Sequence, residues 1–130
     1  MHFLPRLRLL TRVDSINRGE LYWVDWSPGR GSEQLGRRPS LIVQNNEGNR
    51  SSRYTNTIVV TLSTSGRKVP THVPIEPDSK NGLSETSYAK CEQVMTISKD
   101  RLQAKIGKLD TNSMKLVDRA LLVSIGIEID

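Results

Sequence analysis

The sequence predicts a mainly β domain, its short strands closing into a barrel, with flanking helices and one helix at the C-terminus. Three observations carry that reading. Between Gly19 and Leu109, short runs rich in β-branched and aromatic residues follow one another closely. The segments between them are polar and dense in turn formers. After Leu109 the apolar spacing changes to that of a helix.

The first strand is predicted in Gly19-Glu-Leu-Tyr-Trp-Val-Asp-Trp26 and the second in Ser40-Leu-Ile-Val-Gln-Asn45. Their connection holds Gly29, Gly31 and Gly36, so a mobile hairpin loop is expected. Pro39 suits the start of the second strand because it has no N–H to offer a ladder, and it biases Arg38 toward extended geometry. Further strands are expected at 56–63, 72–76, 86–90 and 92–97, separated by linkers at 45–53, 64–68 and 77–82. Pro74 marks the run 72–76 as an edge. Ser98 is placed to cap a short helical turn, and 105–109 reads as a last strand. Asp110 or Thr111 then caps a final helix, in which Met114, Val117, Leu121 and Ile125 recur at helical spacing. Leu116, Ala120 and Val123 widen its apolar surface beyond one stripe, which suits either a second subunit or deep burial in one chain.

The chain has 130 residues, enough for one domain with a real core. Residues 1–17 differ from the rest, mixing leucines with Arg6, Arg8 and Arg12 around Pro5. They are expected to form a flexible or loosely docked N-terminal extension to a domain spanning 18–130. No apolar run approaches the roughly 20 residues of a membrane-spanning helix, so a soluble protein with no membrane partner is expected. The single cysteine, Cys91, cannot form an intramolecular disulfide, and a cytoplasmic location follows. Its expected role is to fill a buried strand position. Nineteen Lys and Arg against fourteen Asp and Glu give a formal charge of +5, and twelve of the nineteen are arginines. Guanidinium forks match phosphate, so an anionic partner is favoured, either nucleic acid or an acidic protein segment.

The densest chemistry lies in Gly31-Ser-Glu-Gln-Leu-Gly-Arg-Arg-Pro39, which places a carboxylate, an amide and two guanidiniums on one connection. Together with the preceding Gly-Glu-Leu-Tyr-Trp-Val-Asp-Trp-Ser-Pro and the following Ser-Leu-Ile-Val-Gln-Asn, this stretch resembles the opening of the MazF/PemK family of toxin endoribonucleases. Pro70-Thr-His-Val-Pro-Ile75, Cys91-Glu-Gln-Val-Met-Thr-Ile97 and the Leu/Val-rich C-terminal segment follow in the family's order. The resemblance runs from about Arg18 to Ile127. It implies an SH3-like barrel with flanking helices, MazF/CcdB-like in fold, assembled as a homodimer.

The residues offer little for other chemistries. No Cys/His cluster has zinc spacing, the carboxylates form no paired motif, and His2 lies outside the recognisable domain, so no metal or other cofactor is expected. His72 reads as a structural strand residue. The remaining route is RNA cleavage in which the substrate's own 2′-hydroxyl attacks the adjacent phosphorus, which restricts the substrate to RNA. By resemblance, the catalytic arginine is Arg38 and the glutamate of the Gly-Ser-Glu-Gln stretch is Glu33. The family's catalytic threonine falls on Ser63, with Thr64 beside it. Serine keeps the hydroxyl but loses the β-branch that stiffens χ1, so either residue could supply the group.

A guanidinium holds its proton tightly, so Arg38 is assigned to stabilising the phosphorane. Glu33 is the candidate proton acceptor or the group that orients Arg38. Ser63 would donate to a non-bridging oxygen. Candidate RNA contacts are Gln34, Arg37, Asn45, Arg50, Thr64, Glu92 and Gln93, where amides and carboxylates read base edges and arginines hold the backbone. The resemblance implies single-stranded RNA, chiefly mRNA, as substrate, 2′,3′-cyclic phosphate and 5′-hydroxyl ends, and inhibition by a MazE-like antitoxin. Two rival readings remain. One is a CcdB-like toxin that binds DNA gyrase through its C-terminal helix, although the terminal tryptophan of that group is missing here. The other is a catalytically impaired RNA-binding module.

Overall fold

The computed structural model describes residues 16–26 and 36–128. Strand β1 (Glu20–Asp25) pairs antiparallel with β2 (Arg37–Ile42), from Leu21 opposite Leu41 to Asp25 opposite Arg37. The second strand therefore begins three residues before the predicted start and takes in the Arg-Arg-Pro step. Pro39 sits opposite Trp23.

After β2 comes a five-residue helix, α1 (Asn46–Arg50), in a segment read from sequence as a linker. Asn45 caps it by accepting from the Gly48 N–H at 2.8 Å. At its other end the buried Lys99 ammonium donates to the carbonyls of Gly48 and Ser51, both at 3.0 Å. Both ends of this one-turn helix are thus satisfied by side chains. Strand β3 (Asn56–Ser63) matches its predicted bounds and pairs with β2.

Edge strand β4 (His72–Ile75) carries Pro74, as its sequence requires. The two strands predicted at 86–90 and 92–97 are one, β5 (Ser87–Ser98). Cys91 joins them because it is fully buried, with its amide hydrogen-bonded to the Thr71 carbonyl at 2.8 Å. Burial, and then the charges of Glu92 and Asp118, push its thiol up to about 12, so this sulfur packs and does not react. Ser98 caps a 3-10 turn over Lys99–Arg101. Strand β6 (Leu102–Lys108) then pairs with β1, and α2 (Thr111–Ser124) follows with Asp110 as its N-cap.

The sheet has six strands in the order β4-β5-β3-β2-β1-β6. Among the described residues no ladder joins β4 to β6. The gap between these two edges is crossed by the segment after β4: Lys108 N–H donates to the Lys80 carbonyl at 3.0 Å. Gly107 permits that approach, since a Cβ there would come 2.3 Å from the Lys80 oxygen. Buried Asn81 shapes the same segment, accepting from the amides of Asp78 and Leu83 and donating to the Glu76 carbonyl.

Both faces of β1 to β3 are covered. On one face Leu21, Leu41, Val60, Leu62, Ala89 and Cys91 pack with Val117 and Ala120 of α2. On the other, Ile16, Tyr22, Val24, Ile42, Val59, Ile97 and Leu102 form a second cluster. Each fully buried Leu or Ile in these sets contributes roughly 1.5–3 kcal/mol. Ile16 is 1 % exposed, and Asn17 N–H donates to the Glu20 carboxylate at 2.8 Å. Packing therefore begins at least at Ile16, inside the stretch read as an extension, and residues 1–15 lie outside the described set. Within α2, Met114, Val117 and Leu121 face the core as their spacing predicts. Ile125 departs from that expectation: it follows the helix and is 65 % exposed.

Candidate active site

The β2/β3 ladder pairs Ser40 with Thr61, Leu41 with Val60 and Ile42 with Val59. Carried two residues further, this register sets Arg38 level with Ser63. Both stand on the face of Ser40 and Thr61, since alternate residues share a face. Arg38 is half-buried and pairs on its other side with Val24 of β1. Ser63 ends β3, where its hydroxyl accepts from the Ser65 N–H at 3.2 Å and lies 3.3 Å from the Ser65 hydroxyl. It therefore sits in a local side-chain turn that fixes where the chain leaves the strand. Thr64 is on the opposite face, lining a small cavity with Trp23, Pro39, Leu83 and Ile106.

The irregularity in β5 adds two more groups to the Arg38 face. The β3/β5 register moves from Leu62 opposite Ala89 to Val60 opposite Val94, so β5 holds three more residues than β3 across this interval. Gln93 accepts from the Thr61 hydroxyl at 3.1 Å, and Glu92 Oε2 lies 2.9 Å from His72 Nε2. Their alternation is broken, as at a bulge, and both reach the same face. His72 Nδ1 accepts from the Arg67 N–H at 3.0 Å, so the ring donates its Nε2 hydrogen to Glu92. Burial alone would raise the Glu92 carboxyl. Hydrogen bonds involving His72, its own backbone and Thr71 hold it below its ordinary value.

Other sequence candidates lie elsewhere. Arg37 is on the opposite face, its guanidinium 4.8 Å from the Trp23 ring centre and its Nε donating to Gln103 at 2.9 Å. Asn45 caps α1, and Arg50 donates to the Asn17 side chain at 2.6 Å. These two lie beyond Ile42, the far end of β2, which is already roughly 13 Å along the strand from Arg38. Glu33 and Gln34 lie outside the described residues. The structure thus sets Arg38, Ser63, Glu92 and Gln93 on one sheet face, apart from Arg37, Asn45 and Arg50. Among the described residues no three His, Cys, Asp or Glu side chains gather as a metal site.

A family model described as the PemK-like, MazF-like toxin of type II toxin-antitoxin systems matches residues 17–125. The chain belongs to this toxin family. Among curated relatives, endoribonuclease MazF of Staphylococcus epidermidis is 43% identical over 115 residues, covering 86% of this chain and 92% of the relative. Endoribonuclease EndoA of Bacillus subtilis (strain 168) is 41% identical over 112 residues, covering 86% and 96%. Among solved structures, a mycobacterial endoribonuclease in complex with its cognate antitoxin superposes with a TM-score of 0.74 at 29% identity, covering 89% of this chain and all of that one. MazF from Deinococcus radiodurans, at 19% identity and TM-score 0.68 over 86% of this chain and 97% of its own, shares the fold.

In this PemK-like, MazF-like toxin, two further residues stand on the Arg38 face. His72, which reads as structural in the sequence, has its partner Glu92 twenty residues away, across the β4/β5 ladder. Tyr88 pairs with Ser63 on one side and with Pro74 on the other. Only the register reveals that position.

Proposed function

We propose that this chain is the toxin of a type II toxin-antitoxin system, a sequence-selective endoribonuclease that cuts single-stranded RNA, chiefly mRNA, without a metal. The observation that carries the reading is Arg38 and Ser63, both partly exposed, on one sheet face in a chain whose family relatives include named endoribonucleases. The substrate's 2′-oxygen attacks the adjacent phosphorus and loses its proton to Glu33, or to a base that Glu33 helps to orient. The O2′–P bond forms and the P–O5′ bond breaks, leaving a 2′,3′-cyclic phosphate, while the departing 5′-oxygen takes up a proton. Arg38 holds the extra negative charge that develops on the non-bridging oxygens, and the Ser63 hydroxyl donates to one of them. Glu92 and Gln93 contact bases beside the cut.

The same reading makes the fold an SH3-like barrel, its gap bridged by the segment after β4, and the catalytic unit begins at Ile16. Two copies pair through the apolar surface left around α2 and β5. Leu116, Val123, Ile125 and Ile127 are each about half exposed or more, and Val94 and Met95 are each 41 % exposed. The outer edge of β5 beyond Cys91 has no strand beside it among the described residues. A MazE-like antitoxin with an acidic segment would compete with RNA for the basic groove, a competition that weakens with added salt. No described helix is long and apolar enough to cross a membrane, and the cytoplasm is the natural site of action.

Incubating purified protein with a long single-stranded RNA in EDTA tests the function. Fragments ending in 2′,3′-cyclic phosphate and 5′-hydroxyl are expected. An intact transcript, with gyrase inhibited or RNA merely bound, would favour one of the rival readings.

A further inference from the structure

We propose that the cleft between the β3–β4 connection and β5 is a nucleobase subsite beside the scissile phosphate, with Tyr88 as its specificity-determining residue. This deepens the endoribonuclease reading and rests on Arg38 and Ser63 holding the phosphate.

Placement comes from the ladders. Ser63 pairs with Tyr88 and Tyr88 pairs with Pro74, and the β2/β3 register, continued two residues past its last pair of Ser40 with Thr61, puts Arg38 level with Ser63. Arg38, Ser63, Tyr88 and Pro74 therefore form one row across four adjacent strands, on one face. Neighbouring strands are about 4.8 Å apart, so the Tyr88 backbone is one strand spacing from that of Ser63 and two from that of Arg38. A base attached to a nucleotide whose phosphate sits at Arg38 and Ser63 reaches that position without a second nucleotide between them.

The cleft has the chemistry for a base. Its volume is about 400 Å³, and its walls are the side chains of Val69, Pro70, Pro74, His72 and Tyr88. Apolar plates and an aromatic ring suit the π-face of a nucleobase. Arg67 and Lys68 stand on its rim, and neither forms a salt bridge within the described residues. They are available to the flanking phosphate. On the other face, the cavity beside Thr64 is smaller, about 170 Å³.

The cleft is also built rather than incidental. Gly66 lies against the Tyr88 ring so closely that a Cβ there would come 2.2 Å from the ring's Cγ. Arg67 N–H donates to His72 Nδ1, and His72 N–H donates to the Val69 carbonyl at 3.1 Å, folding the connection back over β4. The His72 ring is fixed in turn by Glu92. Tyr88 and His72 thus face the cleft from positions set by their neighbours.

The test sequences cut sites in a randomised RNA pool for the full-length wild type, Tyr88→Val and Tyr88→Phe. Wild type is expected to prefer certain bases at one position flanking the cut. Tyr88→Val should flatten that one position and raise KM roughly tenfold or more, with kcat at saturation changed far less, whereas Tyr88→Phe should keep the preference. Unchanged preference and KM in folded Tyr88→Val would overturn the subsite while leaving the nuclease intact. Loss of all RNA cleavage by wild type, or full cleavage by Arg38→Ala, would instead sink the underlying reading. A second measurement does not depend on Tyr88 folding. With RNA made uncleavable by 2′-deoxy substitution, the slope of log affinity against log salt should fall by about 0.7 for each of Arg67→Ala and Lys68→Ala. An unchanged slope in both would place the strand elsewhere.

Discussion

Ser63 and Thr64 are adjacent in sequence and equivalent in chemistry, and sequence alone could not choose between them. Placement supports the proposed choice of Ser63, which ends β3 on Arg38's side, whereas Thr64 follows the strand and lines the cavity with Trp23 and Pro39. Ser63→Ala should lower kcat tenfold or more, in line with losing a hydrogen bond to a charged group worth about 1.5–3 kcal/mol. Ser63→Thr should keep or raise it, and Thr64→Ala should leave it within a few-fold. Single-turnover rates on one RNA decide; a silent Ser63→Ala with an impaired Thr64→Ala would reverse the assignment. A second residue-scale expectation concerns Glu20, which is 7 % exposed. Burial pushes its carboxyl up, but hydrogen bonds with Lys105 Nζ at 2.9 Å, Asn17 N–H and the Tyr22 hydroxyl, with the Lys105 charge, hold it below its ordinary value. A lowered folded value stabilises above the unfolded one, near 4.3, and that contribution is lost as pH falls through the folded value. Thermal melts of wild type and Glu20→Gln should therefore differ at neutral pH and converge in acid. A constant difference across that window would refute the linkage.

At the scale of elements, the strands were legible where β-branched runs ended in turn formers, as for β3 and for the Pro74 edge. Two elements were not. A one-turn helix such as α1 has no periodicity to detect, and it stands here because Asn45 caps its start and Lys99, some fifty residues on, caps its end. The single β5 was split in two because its bulge interrupts alternation near Glu92, so nothing local shows that the strand continues. That same irregularity puts both Glu92 and Gln93 on the Arg38 face. Closure between β6 and the segment after β4 depends on Gly107, whose substitution forces backbone apart. Gly107→Ala should cost at least about 2 kcal/mol in denaturant midpoint analysis. A loss under 0.5 kcal/mol would mean that this contact gives way freely.

For the whole molecule, the order of motifs identified the family, but not where packing begins. Ile16 lies outside any recognisable strand, and its burial depends on a cluster drawn from β1, β2, β3, β5 and β6. Removing residues 1–15 should leave the melting temperature nearly unchanged, whereas Ile16→Ala in the full chain should cost roughly 2–5 kcal/mol. Equal effects of the two changes would contradict the boundary at Ile16. The proposed site is likewise a property of the assembled sheet, since Arg38, Ser63, Tyr88 and Glu92 come from three strands. Its central claim is that Arg38 stabilises the charge that develops at the phosphorus. The most direct measurement is the single-turnover cleavage rate of single-stranded RNA in EDTA by wild type and by Arg38→Ala, with circular dichroism reporting the fold of each. A folded Arg38→Ala protein slower by a few hundred-fold, the loss of about 3–4 kcal/mol of transition-state stabilisation, is the predicted result. A folded variant cutting within a few-fold of wild type would contradict it.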